Sequence, residues 1–229
     1  LGSRGLVAAW SSGQISSIMP RPEPHSDSSP DPRTVHLLLW DGVELLDFAG
    51  PAQVLQVAGA GRAFALSTLS PDGGPVISQG FLRVVPHGSL DDPSWAAPDL
   101  LVIPGGETGV AAADARVMGW LPGAVAGAGH VLSVCTGALL LARAGVLAGR
   151  QVTTWAGAVQ ELQELEPRAT VRPDLRWVTD GRITTAAGVT SGIDAALHLV
   201  ETWLGEGEAE RVTSYMEHHR VRRPDEGPE

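Results

Sequence analysis

The sequence predicts a three-layer α/β sandwich: a mostly parallel sheet with helices on both faces and a nucleophile elbow at one strand end. Three observations predict it. Short, nearly continuous apolar runs recur at "TVHLLLW" (34–40), "AFALSTL" (63–69), "DLLVIPGG" (99–106) and "HVLSVC" (130–135). Runs of that length suit strands covered on both faces, as in parallel sheets. Helical stretches alternate with them, which calls for right-handed crossovers. At Cys135 the chain passes abruptly from an apolar strand into a run of small residues, "CTGALLLARAG".

Taken in order, residues 1–33 are a Pro/Ser-rich stretch without hydrophobic period, expected to be a disordered tail. A single domain is expected over 34–220. Its first strand, 34–40, leads through "DGVELLDFAGP" (41–51) to a helix over 51–60, with Pro51 at the first helical position and Gly50 as cap. "LRVVPHG" (82–88) reads as antiparallel. "ARVMGWLPGAVAGAG" (115–129) reads as a helix that Pro122 bends or breaks. The helix over 136–145 ends at Gly145. "LRWVTDGRITTAAG" (175–188) reads as a hairpin turning at Asp180-Gly181. Helices over 190–204 and 208–218 follow, and 221–229 reads as a frayed tail.

Composition narrows the partners. A formal net charge of −10 argues against a nucleic-acid backbone or an anionic membrane surface. One cysteine in 229 residues cannot form an internal disulfide, so a reducing compartment is the default. No apolar run approaches the roughly 18–20 residues of a membrane span. The first residues lack a basic start followed by an apolar stretch. A cytoplasmic location is expected.

Cys135 admits two readings. The turn lifts its side chain off the C-terminal edge of the sheet, where open α/β sheets bind ligands, and a helix N-terminus beneath it favours thiolate. Alternatively it packs as a small buried hydrophobe. Asp47, between Leu46 and Phe48, is either a carboxyl whose pKa an apolar loop raises for proton transfer, or the anchor of a local turn. Gly105 and Gly106 permit a loop whose N–H groups could bind an anion, or make a plain tight turn. No histidine follows Cys135 directly, and the cysteine and histidine spacing offers no metal site.

"LLDFAGP", "LLVIPGG", "SVCTGALLLARAGVLAGR", "VTTW" and "AAGVTSGIDAALHLVE" together resemble the ThiJ/PfpI superfamily over roughly residues 34–217. The resemblance implies a flavodoxin-like sheet similar to that of class I glutamine amidotransferases. The "D-x-x-G-P" and "C-T-G-A" signatures are similar to the isonitrile hydratase branch and to the sensor halves of AraC-type regulators. Carried over, Cys135 matches the nucleophile, Asp47 its acidic partner and Thr136 a catalytic threonine, while Gly105 and Gly106 match the anion-binding loop. A second carboxylate is implied upstream of the cysteine, with Glu107 and Asp114 as candidates. One departure stands out: Trp155 occupies the position of a histidine in the usual "T-T-H-W", which puts Cys-His mechanisms in doubt.

The leading expectation is therefore a cysteine-nucleophile enzyme that hydrates an isonitrile to an N-substituted formamide, with no cofactor and no metal. The alternative is a small-molecule sensor half of an AraC-type regulator, without nucleic-acid contact from this chain alone. A glyoxalase or deglycase is a third reading. The superfamily resemblance and seven tryptophans imply a homodimer. Burial of Asp47 beside the thiol predicts a protonated carboxyl near neutrality and, with the helix dipole, a Cys135 pKa well below about 8.5 and ready oxidation by peroxide.

Overall fold

A computed structural model describes residues 31–95 and 97–225. The expected N-terminal tail lies, as far as residue 30, outside the described residues. Strand β1 (Arg33–Leu38) opens the domain, followed by α1 (Leu45–Gly61), β2 (Phe64–Ser70), the short strands β3 (Val76–Ser78), β4 (Leu82–Val84) and β5 (Gly88–Ser89), and β6 (Leu100–Ile103). Next come α2 (Thr108–Ala113), α3 (Ala115–Gly127), β7 (His130–Val134) and α4 (Gly137–Arg143). The chain continues through β8 (Gln151–Val152), α5 (Val159–Leu165), β9 (Thr170–Val171), β10 (Trp177–Asp180), β11 (Ile183–Ala186), α6 (Ser191–Leu204) and α7 (Glu206–Tyr215).

Seven strands form one sheet in the order β10-β11-β7-β6-β1-β2-β5. Every pairing is parallel except that of β10 with β11. The apolar runs explain the centre: every residue of β6 and β11, and the last four of β1 and β7, are buried. Helices α1, α6 and α7 pack together as one layer, and α2, α3, α4 and α5 contact one another in the other. The fold is the expected three-layer α/β architecture with helices on both sides of a mostly parallel sheet.

Chain reversal proceeds from β1 towards β2 on one side and from β6 towards β7 on the other. The crevice between the C-terminal ends of β1 and β6 is therefore the topological switch point, where open α/β sheets bind ligands.

Local expectations fail at both prolines, at the hairpin turn and at the start of the C-terminal tail. α1 begins at Leu45, so Pro51 lies inside the helix rather than at its first position. Its ring removes a bond to the Asp47 carbonyl, but the helix is held by packing: a Cβ on Gly192 of α6 would lie 3.4 Å from Pro51, and one on Gly50 only 3.0 Å from Ile193. α3 likewise runs unbroken through Pro122, because Val117, Leu121 and Val125 bury one stripe while Pro122 stays on the exposed side. The hairpin turns at Gly181-Arg182, with Asp180 paired to Ile183 and Gly181 at φ +61°. Past Arg220 the chain does not fray at once. Val221 N–H donates to Asp194 Oδ1 (3.1 Å), and Arg176 N–H to the Pro224 carbonyl (2.8 Å).

Leu101 is fully buried at the sheet centre, between β1 and β7. Leu101→Ala is expected to destabilise the fold by about 2–5 kcal/mol in urea unfolding; a loss below about 1 kcal/mol would show that the centre of the sheet is not packed as described.

Candidate active site

Cys135 is the first residue after β7 and has φ +56°, a left-handed backbone in a residue with a side chain. Hydrogen bonds at both of its peptide groups hold that conformation. Its N–H lies 3.0 Å from the Ala186 carbonyl and 2.9 Å from that of Ala187, and its own carbonyl accepts from Thr154 Oγ1 at 2.8 Å. The helix that follows must approach β6 closely: a Cβ on Gly137 would lie 2.2 Å from the Ile103 carbonyl oxygen, so only glycine fits. α4 then ends in a Schellman motif, with Gly145 at φ +72° and bonds from Gly145 N–H to Ala142 and from Val146 N–H to Leu141.

Asp47 lies in the first turn of α1, not in a loop, and is wholly buried. Gly105 N–H donates to its Oδ2 at 2.9 Å, while Oδ1 is buried without a hydrogen-bond partner. Burial is the main reason its pKa is raised to about 7; the Glu44 charge adds to the rise, and the Gly105 N–H and the Cys135 side chain oppose it. Cys135 as a whole is only 7 % exposed. Burial pushes its thiol up to about 12, helped by the negative charge of Asp47 and, less, of Glu44, against the pull of the Thr136 and Val189 N–H groups.

The expectation of a depressed thiol pKa is thus reversed. α4 has seven residues, a short dipole, and the sulfur has been taken out of water beside an acid. The resting pair is a neutral thiol with a carboxyl that titrates near neutrality. Ready oxidation by peroxide, which needs thiolate, loses its basis.

Gly105 and Gly106 also act differently from expectation. Their N–H groups do not face an open anion site: Gly105 holds Asp47, and Gly106 donates to Thr136 Oγ1 at 3.0 Å. The Thr136 hydroxyl donates back to the Gly106 carbonyl (3.2 Å). Gly106 has φ +115°, and a Cβ there would lie 2.3 Å from the Gly42 carbonyl oxygen. The loop after β1 hooks onto this turn through Glu44 N–H to Gly105 and Glu107 N–H to Gly42. The glycine pair therefore positions the acid and the threonine.

Neither candidate for the second carboxylate is among the groups that shift the thiol. Glu107 is exposed at the start of α2. Asp114 caps α3 by accepting from Arg116 N–H (2.8 Å) and pairs with the Arg116 guanidinium. The carboxylate whose charge reaches both Asp47 and Cys135 is Glu44, held by Gln79 Nε2 at 2.8 Å. It is the extended N-cap residue of α1, three residues before Asp47, and that short spacing was the signal available in the sequence. Val189 acts through its backbone and leaves no such signal. Trp155 is 48 % exposed, its Cδ1 3.2 Å from where a Cβ on Gly188 would stand. His36 and His198 pack on Trp95 and Trp177, and His87, His130 and His218 bond Thr68, Thr184 and Asp194.

Known proteins share the sequence pattern and the fold of this chain. The model of the DJ-1/PfpI family matches residues 33–202. The isonitrile hydratase of Pseudomonas putida is 32 % identical over 187 residues, covering 80 % of this chain and 78 % of that protein. The HTH-type transcriptional regulator CdhR of Pseudomonas aeruginosa is 30 % identical over 187 residues, covering 81 % of this chain; the match spans 55 % of the regulator. The crystal structure of a ThiJ/PfpI family protein from Pseudomonas syringae superposes with a TM-score of 0.76 at 25 % identity, covering 87 % of this chain and 84 % of that one.

Because the Asp47 charge raises the thiol pKa, Asp47→Asn should move the pH profile of iodoacetamide alkylation at Cys135 to lower pH than in the wild type. A profile that stays in place or moves upward would mean that Asp47 acts on the sulfur as a hydrogen-bond donor instead.

Proposed function

The chain belongs to the DJ-1/PfpI family, and on that premise we propose that it is a cysteine-nucleophile enzyme that hydrates an isonitrile to an N-substituted formamide. The observation that carries this reading is the pairing of Cys135 with a wholly buried Asp47 whose pKa is about 7 and whose Oδ1 has no partner. A proton carrier is most effective when its pKa is near the working pH. The similarity to the Pseudomonas putida isonitrile hydratase supports the same choice of substrate class.

In the proposed reaction the Cys135 sulfur attacks the terminal carbon of R–N≡C as its proton passes to ionised Asp47. Protonated Asp47 then delivers that proton to the carbon, giving the thioimidate R–N=CH–S–Cys135. Water adds at the same carbon, with Asp47 accepting a proton from the water and passing it to nitrogen. The C–S bond then breaks, the hydroxyl proton returns through Asp47 to sulfur, and R–NH–CHO leaves. The balance is one isonitrile and one water to one formamide. The Thr136 and Val189 N–H groups stabilise negative charge on the sulfur as the proton departs. Thr136 Oγ1, engaged with Gly106, serves in this scheme to position the loop.

A second reading, a small-molecule sensor, is favoured by the similarity to the regulator CdhR. In that case the same crevice binds its ligand without turnover. A cytoplasmic location belongs to either reading; among the described residues no helix is long and apolar enough to cross a membrane. The glyoxalase or deglycase reading gains nothing from His36, His87, His130, His198 or His218, which are engaged elsewhere.

Purified protein incubated with cyclohexyl isonitrile should yield N-cyclohexylformamide, and Cys135→Ala should yield none. Asp47→Asn should lower kcat by about 10²- to 10⁴-fold. Since attack needs ionised Asp47 and a thiol that stays protonated until then, kcat/KM should rise with pH through about 7 and then level. No Cys135-dependent formamide, with saturable ligand binding retained, would leave the sensor reading in its place.

We also propose a homodimer. Ile77, Phe81, Leu82 and Val85 leave apolar surface exposed along the β3–β4 hairpin and just beyond it, and Leu46 is exposed beside Leu45, which the hairpin residue Gln79 contacts. Light scattering should return about twice the chain mass; a monomer mass at micromolar concentration would refute association.

A further inference from the structure

In the proposed reaction the isonitrile carbon meets sulfur, while the substituent R has no assigned contact. The site restricts R in two ways. With Cys135 only 7 % exposed and Asp47 wholly buried, a narrow group can reach the sulfur but a bulky one must remain outside. The charges of Glu44 and Asp47, which both act on the sulfur, disfavour an anionic substituent.

An indole stands where the resemblance leads one to expect an imidazole. Trp155 follows Thr154, whose hydroxyl bonds the carbonyl of Cys135 itself. The ring also leans on Gly188, the residue before Val189, whose N–H group acts on the sulfur. Trp155 thus adjoins the residue bonded to the Cys135 backbone, and its ring abuts the chain supplying the N–H donor to the sulfur. The ring lies over two glycines. A Cβ on Gly157 would stand 2.4 Å from it and one on Gly188 3.2 Å, so these backbones leave the space the indole fills. Yet 48 % of the residue remains exposed, against 2 % and 3 % for the core residues Trp40 and Trp177. An indole wedged by backbone and open on its remaining surface is a rigid apolar wall with little conformational entropy left to lose on binding.

We propose that Trp155 is a specificity-determining residue that receives an apolar, preferably aromatic or cycloalkyl, substituent of the substrate while the narrow isonitrile group reaches Cys135. The assignment rests on the hydratase reading for the identity of the reacting group. The wall itself does not depend on turnover, since it is made of Trp155, Gly157 and Gly188.

The test compares benzyl isonitrile with methyl isonitrile in the wild type, Trp155→Ala and Trp155→Phe. Trp155→Ala should raise KM for the benzyl compound about tenfold, with kcat within about twofold, and leave both constants for the methyl compound unchanged. Trp155→Phe should restore most of the benzyl KM. Loss of kcat at constant KM, or an equal effect on both substrates, would overturn the proposal while leaving the hydratase reading intact. A second arm separates the two failures: calorimetric titration of Cys135→Ala with N-benzylformamide, with and without Trp155→Ala. If the wild type hydrates neither isonitrile, the hydratase reading fails, and binding of N-benzylformamide that Trp155→Ala weakens about tenfold supports the wall on its own. Absent binding, or binding indifferent to Trp155, overturns it.

Discussion

Burying a carboxyl group beside a thiol is the constraint from which the rest of the site follows. Asp47 is shielded from water with one backbone N–H on Oδ2 and no partner on Oδ1. Such a group resists ionisation, and its charge, once present, resists ionisation of Cys135 in turn. Two adjacent anions in a poorly solvated space repel strongly, so the pair behaves as one coupled acid whose protons move together. The sheet core, with its fully buried strand centres, offsets the cost of keeping an unpaired polar oxygen out of water.

The protein holds this pair in place mainly with backbone. Three chain segments meet at the switch point: Gly42 to Asp47 after β1, Gly105 and Gly106 after β6, and Cys135 and Thr136 after β7. The Gly105 N–H group fixes the acid, the Gly106 N–H and carbonyl fix the threonine, and the carbonyls of Ala186 and Ala187 fix the strained cysteine. Glycine is needed at Gly106 and Gly137 because another backbone occupies the space of a side chain. Displacing any one segment therefore moves a partner of the sulfur as well as itself.

How much of this was legible in the sequence depends on which atoms carry the information. Strands buried on both faces carry it in side chains, so β1, β6 and β7 stand out as apolar runs, with Cys135 at the end of one and Asp47 in the helix that follows another. Pro51 and Pro122 misled because the break they favour locally is overridden by contacts with elements distant in sequence. Val189 and the glycine pair act through peptide groups, which every residue has, so their roles are written only in three dimensions. The sign of the thiol shift was misread for a related reason. A helix start can be seen in sequence, but its shortness and the loss of water around the sulfur become decisive only once the chain is folded.

A raised thiol pKa is compatible with nucleophilic chemistry, provided the thiolate is needed only transiently. A permanently ionised cysteine reacts with peroxide and stray electrophiles whether or not substrate is present. A neutral thiol beside a carboxyl of pKa about 7 is protected at rest, and its proton has somewhere to go when a carbon electrophile arrives. The price is an uphill proton transfer. It is offset if the proton moves on to the substrate carbon in the same step, because no pair of anions then persists. An isonitrile carbon accepts both the sulfur and the proton, which matches what this pair can deliver. Substrates that leave a full negative charge behind would require a separate donor near the sulfur, and the Gly105 and Gly106 N–H groups are already committed to Asp47 and Thr136.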